Sequence, residues 1–520
     1  MHTVELLVGL LAVIALLGVV ADRSGLPYPA VLVLGGIAIG VIPGVPSFRL
    51  HPDLVLLGFI PVLVYAGAFR AASFDLRRHV LQIISLATGF VLLTVLAVGA
   101  AAHLVGGIGW AAAFVAGALS APTDPVSASA VLSHVGAPEQ IVTVLEGESL
   151  INDGTGLAVY QVAVAAVAGS FSAGQAAIKL VEISLGGVAV GLASGWLSVR
   201  IRRPLDAPAI EIVLGLLTAF GSYIAALGAG FSGVLAAVTA GLYAGWHAQD
   251  ISSPQGRLRM EPVWDAAAFV LQSVLFLLIG LQLRRIVDGI AAGRMTTALV
   301  TAGVVVAVVV VLRFAWMLGV SPILARLLPF GVRPNSRREL VVLSWSGMRG
   351  ALSLAGALSI PLTSGSGRFP ARDEVIFLVY CVVLGTLIVP SLTLETLIRR
   401  LGLGQAERLV QQEVEARTRV AHSALARLDE IAADDGAPED LLAQLRGVYE
   451  LRLSRLAAAQ AKDPPREQSE WSDRAHEIRK ELVAIQRRAL REIREESGAS
   501  IEVIGRIQHD IDLEESRSSP

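Results

Sequence analysis

The stretch GALSAPTDPVSASAVL, residues 117–132, lies in a long apolar region and yet places Thr123 and Asp124 between two prolines. Proline removes a backbone hydrogen-bond donor and clashes with the preceding helical turn, so Pro122 and Pro125 predict a broken helix. Inside a membrane, freed backbone groups are tolerated only where protein buries them or where they line a wet cavity. The stretch therefore predicts a broken helix with Asp124 facing a site; the alternative is a simple kink with Asp124 reaching an interface.

Composition places this stretch in a membrane protein. The chain has 520 residues, of which 54% are hydrophobic and 17% charged. A soluble globular protein carries roughly 25% charged residues, and here the deficit lies before about residue 398. We therefore predict a polytopic membrane domain at 1–398, in contact with lipid, and a charged helical tail at 399–520. We expect no nucleic-acid partner.

The membrane domain divides into about thirteen candidate spans, because a helix needs about 20 apolar residues to cross the hydrocarbon core. The first span lacks a basic leading segment and a cleavage site, so it is interpreted as a retained helix and not as a signal peptide. The approximate bounds are 4–21, 28–45, 53–69, 80–104, 109–132, 140–169, 176–200, 210–227, 231–246, 262–283, 296–325, 338–361 and 373–398.

The arginines of the loops predict the orientation. With the N-terminus outside, the cytoplasmic loops carry more arginines than the opposite loops, as expected for membrane proteins. Arg284 and Arg285 fall on the opposite side and count against this assignment. The bias predicts that the N-terminus is outside and the tail cytoplasmic. In the tail, helical spacing begins at residues 405–432 and continues at about 438–461, 470–496 and 500–515. This pattern indicates either a small helical bundle or an element with a regulatory or dimer-supporting role.

A second motif, EGESLINDGTG at residues 146–156, follows within the next apolar run. Ser149 and Asp153 are four residues apart and share one helix face, while Glu148 and Asn152 share the adjacent face. A hydroxyl one turn from a carboxylate supplies two hard oxygen ligands, which suit a small monovalent cation or a proton. Because ionisable groups in a membrane span are functional candidates, Asp153 is the first candidate for the site. The alternative for Asp153 is a structural, hydrogen-bonded acid.

A third motif, WSGMRGALSLAGALSIP at residues 345–361, places Arg349 in another interrupted apolar segment. An unpaired arginine there is costly, so we expect a carboxylate partner, and Glu148 is the predicted one. Arg313 is a second buried base, interpreted as structural. The single cysteine, Cys381, and the lack of metal-ligand spacing indicate no resident cofactor.

Together with SGVLAAVTAGLYAG at residues 232–245, these motifs resemble those of the sodium/proton exchangers, within the monovalent cation:proton antiporter family. The order and spacing are similar to those of the bacterial branch marked by an Asn-Asp pair. The resemblance covers nearly all of residues 1–400, and the first two motifs together are highly specific.

The resemblance implies an all-α fold of two inverted repeats with two crossed broken helices, in a homodimer within the bacterial plasma membrane. It also implies a dimerisation part and a mobile core part. The implied site residues are Asp153 as the cation- and proton-binding carboxylate, Asn152 as its neighbour associated with electroneutral exchange, Thr123 and Asp124 at the crossing, Ser149 as a cation ligand, and Glu148 with Arg349 as a structural ion pair.

One residue departs from the family pattern. Many members have Glu in a third-helix sequence like PPILFEAG, whereas this chain has IPVLVYAG at residues 60–67, with Tyr65 at the position of that Glu. A tyrosine carries no negative charge at neutral pH, although its hydroxyl can coordinate a cation. Tyr65 is therefore a candidate extra ligand, and the ion preference is left open.

These observations predict an antiporter and not an enzyme. It exchanges a monovalent cation, Na⁺ before K⁺ or Li⁺, for H⁺ by alternating access, with cation and proton competing for Asp153. Asp153, Ser149, Asp124 and Thr123 are the predicted Na⁺ ligands, and the exchange is expected to be electroneutral. The alternatives are a K⁺/H⁺ exchanger, a cation channel, and an intramembrane aspartyl protease with Asp124 and Asp153 as its dyad.

Overall fold

In the computed structural model, the chain divides into two units, Met1–Gln405 and Ala406–Pro520. The structure describes residues 2–43, 54–72, 76–169, 172–205, 207–248, 254–291, 293–327, 336–364, 367–404, 406–434, 438–460 and a few positions between 482 and 489. Most of the predicted tail helices at 470–496 and 500–515 lies outside the described residues.

The first unit is almost entirely helical. Its helices are α1 (His2–Ser24), α2 (Tyr28–Val41), α3 (Ile60–Ala71), α4 (Leu76–Ile84), α5 (Val91–Gly106), α6 (Trp110–Ser120), α7 (Val126–Val135), α8 (Glu139–Ala168), α9 (Ala173–Arg202), α10 (Pro208–Gly228), α11 (Gly233–Trp246), α12 (Pro254–Leu281), α13 (Leu283–Asp288), α14 (Met295–Ala315), α15 (Ser321–Leu327), α16 (Arg337–Trp345), α17 (Ala351–Leu358) and α18 (Arg372–Leu401). A two-stranded antiparallel hairpin, β1 (Thr363–Ser364) and β2 (Gly367–Arg368), precedes α18.

Within the described residues, seven helices are long and apolar enough to cross a membrane. Four shorter apolar helices accompany them, among them α6 and α11. These findings confirm the predicted all-α polytopic membrane protein. The number of thirteen spans and the inverted repeats remain predictions.

Two of the predicted spans are broken helices. The prolines separate α6 from α7, and the glycine-containing run 346–350 separates α16 from α17. The two breaks meet, because the backbone N–H of Asp124 donates to the carbonyl oxygen of Met348 at 2.8 Å. Backbone groups released by one break are thus partly satisfied by the other, which is how an irregular segment persists inside a membrane domain.

The helices of the first unit pack in two groups. Helices α1–α3 and α9–α12 pack mainly on one another, and helices α4–α8 and α14–α18 do the same. Glycine permits close helix approach in the first group, where a Cβ on Gly280 of α12 would overlap the backbone of α2. We call these the first and the second helix group.

Three π-helical turns interrupt the helices in the part of the chain that the structure describes, and none of them was predicted from the sequence. Leu54–Phe59 leads into α3, Ser85–Phe90 joins α4 to α5, and Trp316–Val320 joins α14 to α15. The last two pack together, with the Phe90 and Trp316 rings 5.8 Å apart. Because π turns recur at functional sites, their position beside the buried charges described below is notable.

The second unit contains α19 (Ala406–Asp434) and α20 (Glu439–Gln460), which form a helical hairpin. An ion pair between Asp429 and Arg446 joins the two helices. The assignment of this unit as a cytoplasmic regulatory tail remains a prediction.

Candidate functional site

A cavity of about 630 Å³ separates the two helix groups. One wall is formed by one face of α3, from Ile60 to Arg70, and one face of α12, from Asp265 to Phe276. The opposite wall is formed by the break at 122–125, α7, α8 and the start of α17. The cavity therefore gives water access to the place where the two broken helices cross.

Asp124 lies in this crossing and lines the cavity. Its Oδ1 accepts a hydrogen bond of 3.0 Å from the backbone N–H of Val126, in the first turn of α7. The side chain is half-buried. A carboxylate at a helix N-terminus is stabilised by the partial positive charge of that end, so the break itself positions this acid.

Arg349 provides the opposite charge at the same crossing. Its Nη1 donates to the carbonyl oxygen of Ala121, just after the C-terminal end of α6, which carries partial negative charge. The backbone N–H of Arg349 donates to Thr386 Oγ1 of α18 at 3.1 Å. The side chain is completely buried, and its Nε and Nη2 atoms have no hydrogen-bond partner among the described residues.

Asp153 and Ser149 lie one turn apart on α8 and both line the cavity, as their spacing predicts. The Asp153 carboxylate is half-buried and close enough to Asp124 and Arg349 to interact with both electrostatically. Asp153, Asp124 and Ser149 thus line the same cavity, beside the buried positive charge of Arg349.

A chain of hydrogen bonds fixes the residues behind the cavity wall. The Nδ2 of Asn152 donates to Thr123 Oγ1 at 2.6 Å, and that hydroxyl donates to Glu148 Oε1 at 3.2 Å. Asn152 and Glu148 are fully buried, and Thr123 is 4% exposed. The break between α6 and α7 is therefore tied to α8 through side chains as well as backbone.

The structure corrects the predicted partner of Glu148. Arg313 of α14, and not Arg349, pairs with it: Nη1 and Nη2 lie 2.6 and 2.8 Å from the two carboxylate oxygens. The Nε and Nη2 atoms of Arg313 also donate to the carbonyl oxygen of Leu343 in α16, and its guanidinium lies 5.6 Å from the Phe90 ring centre. The planar guanidinium of Arg313 matches the carboxylate in this two-bond geometry. Because Arg313 pairs with Glu148, Arg349 is left near Asp124 and Asp153.

Tyr65, the candidate extra ligand, lies outside the cavity lining. Tyr65 is 1% exposed and is not among the residues that line the cavity. Its ring packs 5.5 Å from that of Trp264, and Arg202 of α9 lies beside its hydroxyl. The α3 face that carries Ile60, Val64 and Gly67 points into the cavity, so Tyr65 points towards α9 and α11.

Sequence reasoning missed several residues of the site. Gln272 and Phe269 line the cavity from α12, on the helix face that Asp265 also occupies, and no motif in the sequence marks that face. Gly350 packs so closely on Asp124 that an added Cβ would overlap the carboxylate, and Gly347 packs in the same way on Arg313. A signal for the glycines was present in the WSGMRG run, which was interpreted only as an interruption.

Known proteins resemble this chain over most of its length. The family described as "Sodium/hydrogen exchanger, transmembrane" matches residues 9–400. The uncharacterized Na⁺/H⁺ exchanger Rv2287 of Mycobacterium tuberculosis is 32% identical, covering 98% of this chain and 95% of that protein. The Na⁺/H⁺ antiporter ApNhaP of Aphanothece halophytica is 30% identical, covering 84% of this chain and 81% of that protein.

A solved structure shares the fold. The sodium proton antiporter MjNhaP1 from Methanocaldococcus jannaschii aligns with a TM-score of 0.59 at 21% sequence identity. The alignment covers 78% of this chain and all of that chain. The helical arrangement of the first unit is thus that of an antiporter fold.

Proposed function

Because the chain belongs to the sodium/hydrogen exchanger family, a family of transporters and not of enzymes, we propose that it exchanges one Na⁺ for one H⁺ by alternating access at Asp153. The observation that carries the proposal is the crossing of two broken helices at a water-accessible cavity, with Asp153 and Asp124 both facing it. Half-helix ends and interrupted backbone at the middle of a membrane domain are the usual setting of an ion site in secondary transporters.

The ligands that we assign to the cation are side-chain oxygens of the cavity wall. Asp153 and Asp124 supply carboxylates, and Ser149 supplies a hydroxyl. Thr123 also lines the cavity, but its hydroxyl already joins Asn152 to Glu148, so we assign it to the wall of the site and to the positioning of Asn152. Tyr65 is left out of this ligand set.

The charges around the crossing support an exchange of one for one. Glu148 and Arg313 neutralise each other as a pair. Asp124, Asp153 and Arg349 remain, and arginine keeps its positive charge in proteins. With both aspartates ionised, this group carries one net negative charge, which one monovalent cation or one proton neutralises.

Coupling follows from the cost of moving an uncompensated charge. With cation or proton bound, the site is neutral, whereas the empty site would carry a bare negative charge through a region that solvates it poorly. The second helix group, which carries every assigned ligand, is the proposed mobile core. The first helix group is the proposed fixed part and forms the interface of a homodimer.

The experiment that tests this function is a measurement of the balance point in proteoliposomes. Purified full-length chain is reconstituted with a pH-sensitive dye, and Na⁺, K⁺ and Li⁺ gradients are imposed in turn. For one-for-one exchange, a tenfold cation gradient is balanced by about one pH unit at any membrane voltage. A two-proton exchanger would respond to voltage, because one net charge gains about 2.3 kcal/mol per 100 mV.

Each result has a defined meaning. Proton flux driven by Na⁺ with a voltage-independent balance point supports electroneutral Na⁺/H⁺ exchange. If only a K⁺ gradient drives proton flux, the transported cation is K⁺ and not Na⁺. Cation flux that does not saturate and does not move protons overturns antiport in favour of a channel.

A further inference from the structure

Among the described residues, three ionisable side chains at the mouth of the cavity are not used by the ion site. Arg70, at the end of α3, and Asp265 of α12 form an ion pair of 2.9 Å on the wall of the first helix group. Glu146 of α8 lies on the opposite wall, where its Oε1 accepts a hydrogen bond of 2.9 Å from Ser129 Oγ. All four residues line the cavity.

These charges lie on facing walls of the same cavity, away from the ion site along α8. On α8, Glu146 and Asp153 line the same cavity and are separated by seven residues, which corresponds to about 10 Å along a helix axis. On α3, the lining residues run from Ile60 to Arg70, which is exposed. The side chains of Arg70 and Asp265 are 46% and 51% exposed, so this end is the open one.

Closing this end brings the two walls together. Water would leave the charges at the mouth, and a carboxylate without a partner there is costly. Arg70 lies close enough to Glu146 to interact with it electrostatically even with the cavity open. A guanidinium has several N–H donors in a planar fork, so one arginine can bind two carboxylates.

We propose that Arg70 is a gating residue: it holds Asp265 while the cavity is open, and it also binds Glu146 across the mouth when the cavity closes. The inference rests on the proposed function, because a mouth that opens and closes is part of alternating access. Arg70 acts through the helix positions and touches neither cation nor proton in the site. Loss of its charge therefore lowers the maximal rate of exchange.

The experiment compares charge reversal with charge exchange in proteoliposomes. The full-length variants Arg70→Glu, Glu146→Arg and the double variant Arg70→Glu/Glu146→Arg are assayed for maximal rate and for apparent KM of the cation. Each single reversal places like charges across the mouth, so the maximal rate is expected to fall about tenfold or more. The double variant restores the attraction and is expected to recover most of that rate.

A matched control is available on α9. Lys179 and Glu182 form an ion pair of 3.0 Å with side chains 43% and 52% exposed, and neither lines the cavity. The variants Lys179→Glu, Glu182→Lys and their double are expected to leave the maximal rate and the KM unchanged. Arg70→Lys, which keeps the charge but not the planar fork, is expected to give a rate between those of the wild type and Arg70→Glu.

The outcomes separate the gate from the function itself. If wild type exchanges but single reversals at Arg70 and Glu146 leave the rate unchanged, or the double variant is no better than the singles, the gate is wrong. If wild type shows no coupled exchange, the proposed function fails first. Should Arg70→Glu fail to fold, as judged by gel filtration, Arg70→Gln and Glu146→Gln replace the reversals, and each must then lower the rate.

Discussion

Arg313 donates two hydrogen bonds, of 2.6 and 2.8 Å, to the carboxylate of Glu148, and both side chains are almost completely buried. The pair joins α14 to α8 directly behind the carboxylates of the cavity. Its geometry uses both carboxylate oxygens, and the Thr123 hydroxyl donates to one of them. The two broken helices therefore cross on a support that is itself charge-neutral and fully buried.

The first prediction concerns this support. Removing one partner of a buried ion pair leaves an uncompensated charge and costs about 3–5 kcal/mol, so Glu148→Gln and Arg313→Met are each expected to destabilise the protein strongly. The double variant is expected to be less destabilised than the sum of the two. Denaturation in mixed micelles measures the coupling free energy. A parallel cycle of Glu148→Gln with Arg349→Met is the comparison, and a larger coupling to Arg349 than to Arg313 would contradict the assigned pair.

The second prediction concerns competition at Asp153. Because one negative charge binds either ion, the apparent KM of the cation is expected to rise as pH falls, by up to about tenfold per pH unit once the proton occupies the site. Asp153→Asn is expected to abolish exchange at every pH. Asp288→Asn is the control, since that side chain is 72% exposed and does not line the cavity. A KM that is constant from acid to alkaline pH would exclude competition for one site.

The third prediction concerns Gly350. A Cβ at this position would overlap the Asp124 carboxylate, so Gly350→Ala is expected to displace that acid and to lower the rate of exchange at least about tenfold. Gly303→Ala is the matched control, because Gly303 lies within α14 and a Cβ there meets nothing within 4 Å. That control is expected to gain up to about 1 kcal/mol of stability from helix propensity. Equal transport by both variants would show that the close packing on Asp124 does not matter.

The fourth prediction separates Tyr65 from the ligands. Tyr65→Phe is expected to leave the apparent KM of the cation within about twofold of the wild type, because the hydroxyl lies outside the cavity. Ser149→Ala removes an oxygen that lines the cavity and is expected to raise the KM roughly tenfold. Cation-dependent initial rates in proteoliposomes measure both. A KM that changes for Tyr65→Phe and not for Ser149→Ala would reverse the two assignments.

Much of the fold follows from local chemistry. Pro122 and Pro125 cannot both be accommodated in a regular helix, and a helix break was predicted and found at that point. The predicted span at 140–169 corresponds to α8 at Glu139–Ala168, because hydropathy alone locates a long apolar helix. Ser149 and Asp153 were placed on one face from their spacing, and both line the cavity.

What could not be predicted is the rotation of each helix about its own axis. Helices α3 and α14 carry apolar side chains on nearly every face. Their sequences therefore contain no amphipathic stripe that would show which face packs against which neighbour. From the sequence alone, an orientation of Tyr65 towards the cavity and one towards α9 were therefore equally consistent. The same holds for the partner of Glu148, which depends on whether α14 or the break before α17 brings its arginine closer.

The tight packing of glycines at the crossing limits how this region can be probed chemically. In a cysteine scan through residues 346–351, cysteines at positions 347 and 350 would fail to react with a thiol reagent. The reason is that a side chain at Gly347 or Gly350 would itself overlap Arg313 or Asp124. Absence of labelling at those two positions would therefore indicate a disturbed structure and not protection of a native site from the reagent. Ala130 of α7 is the better reference position, since it lines the cavity and its side chain is exposed. Native Cys381 of α18 would first have to be replaced.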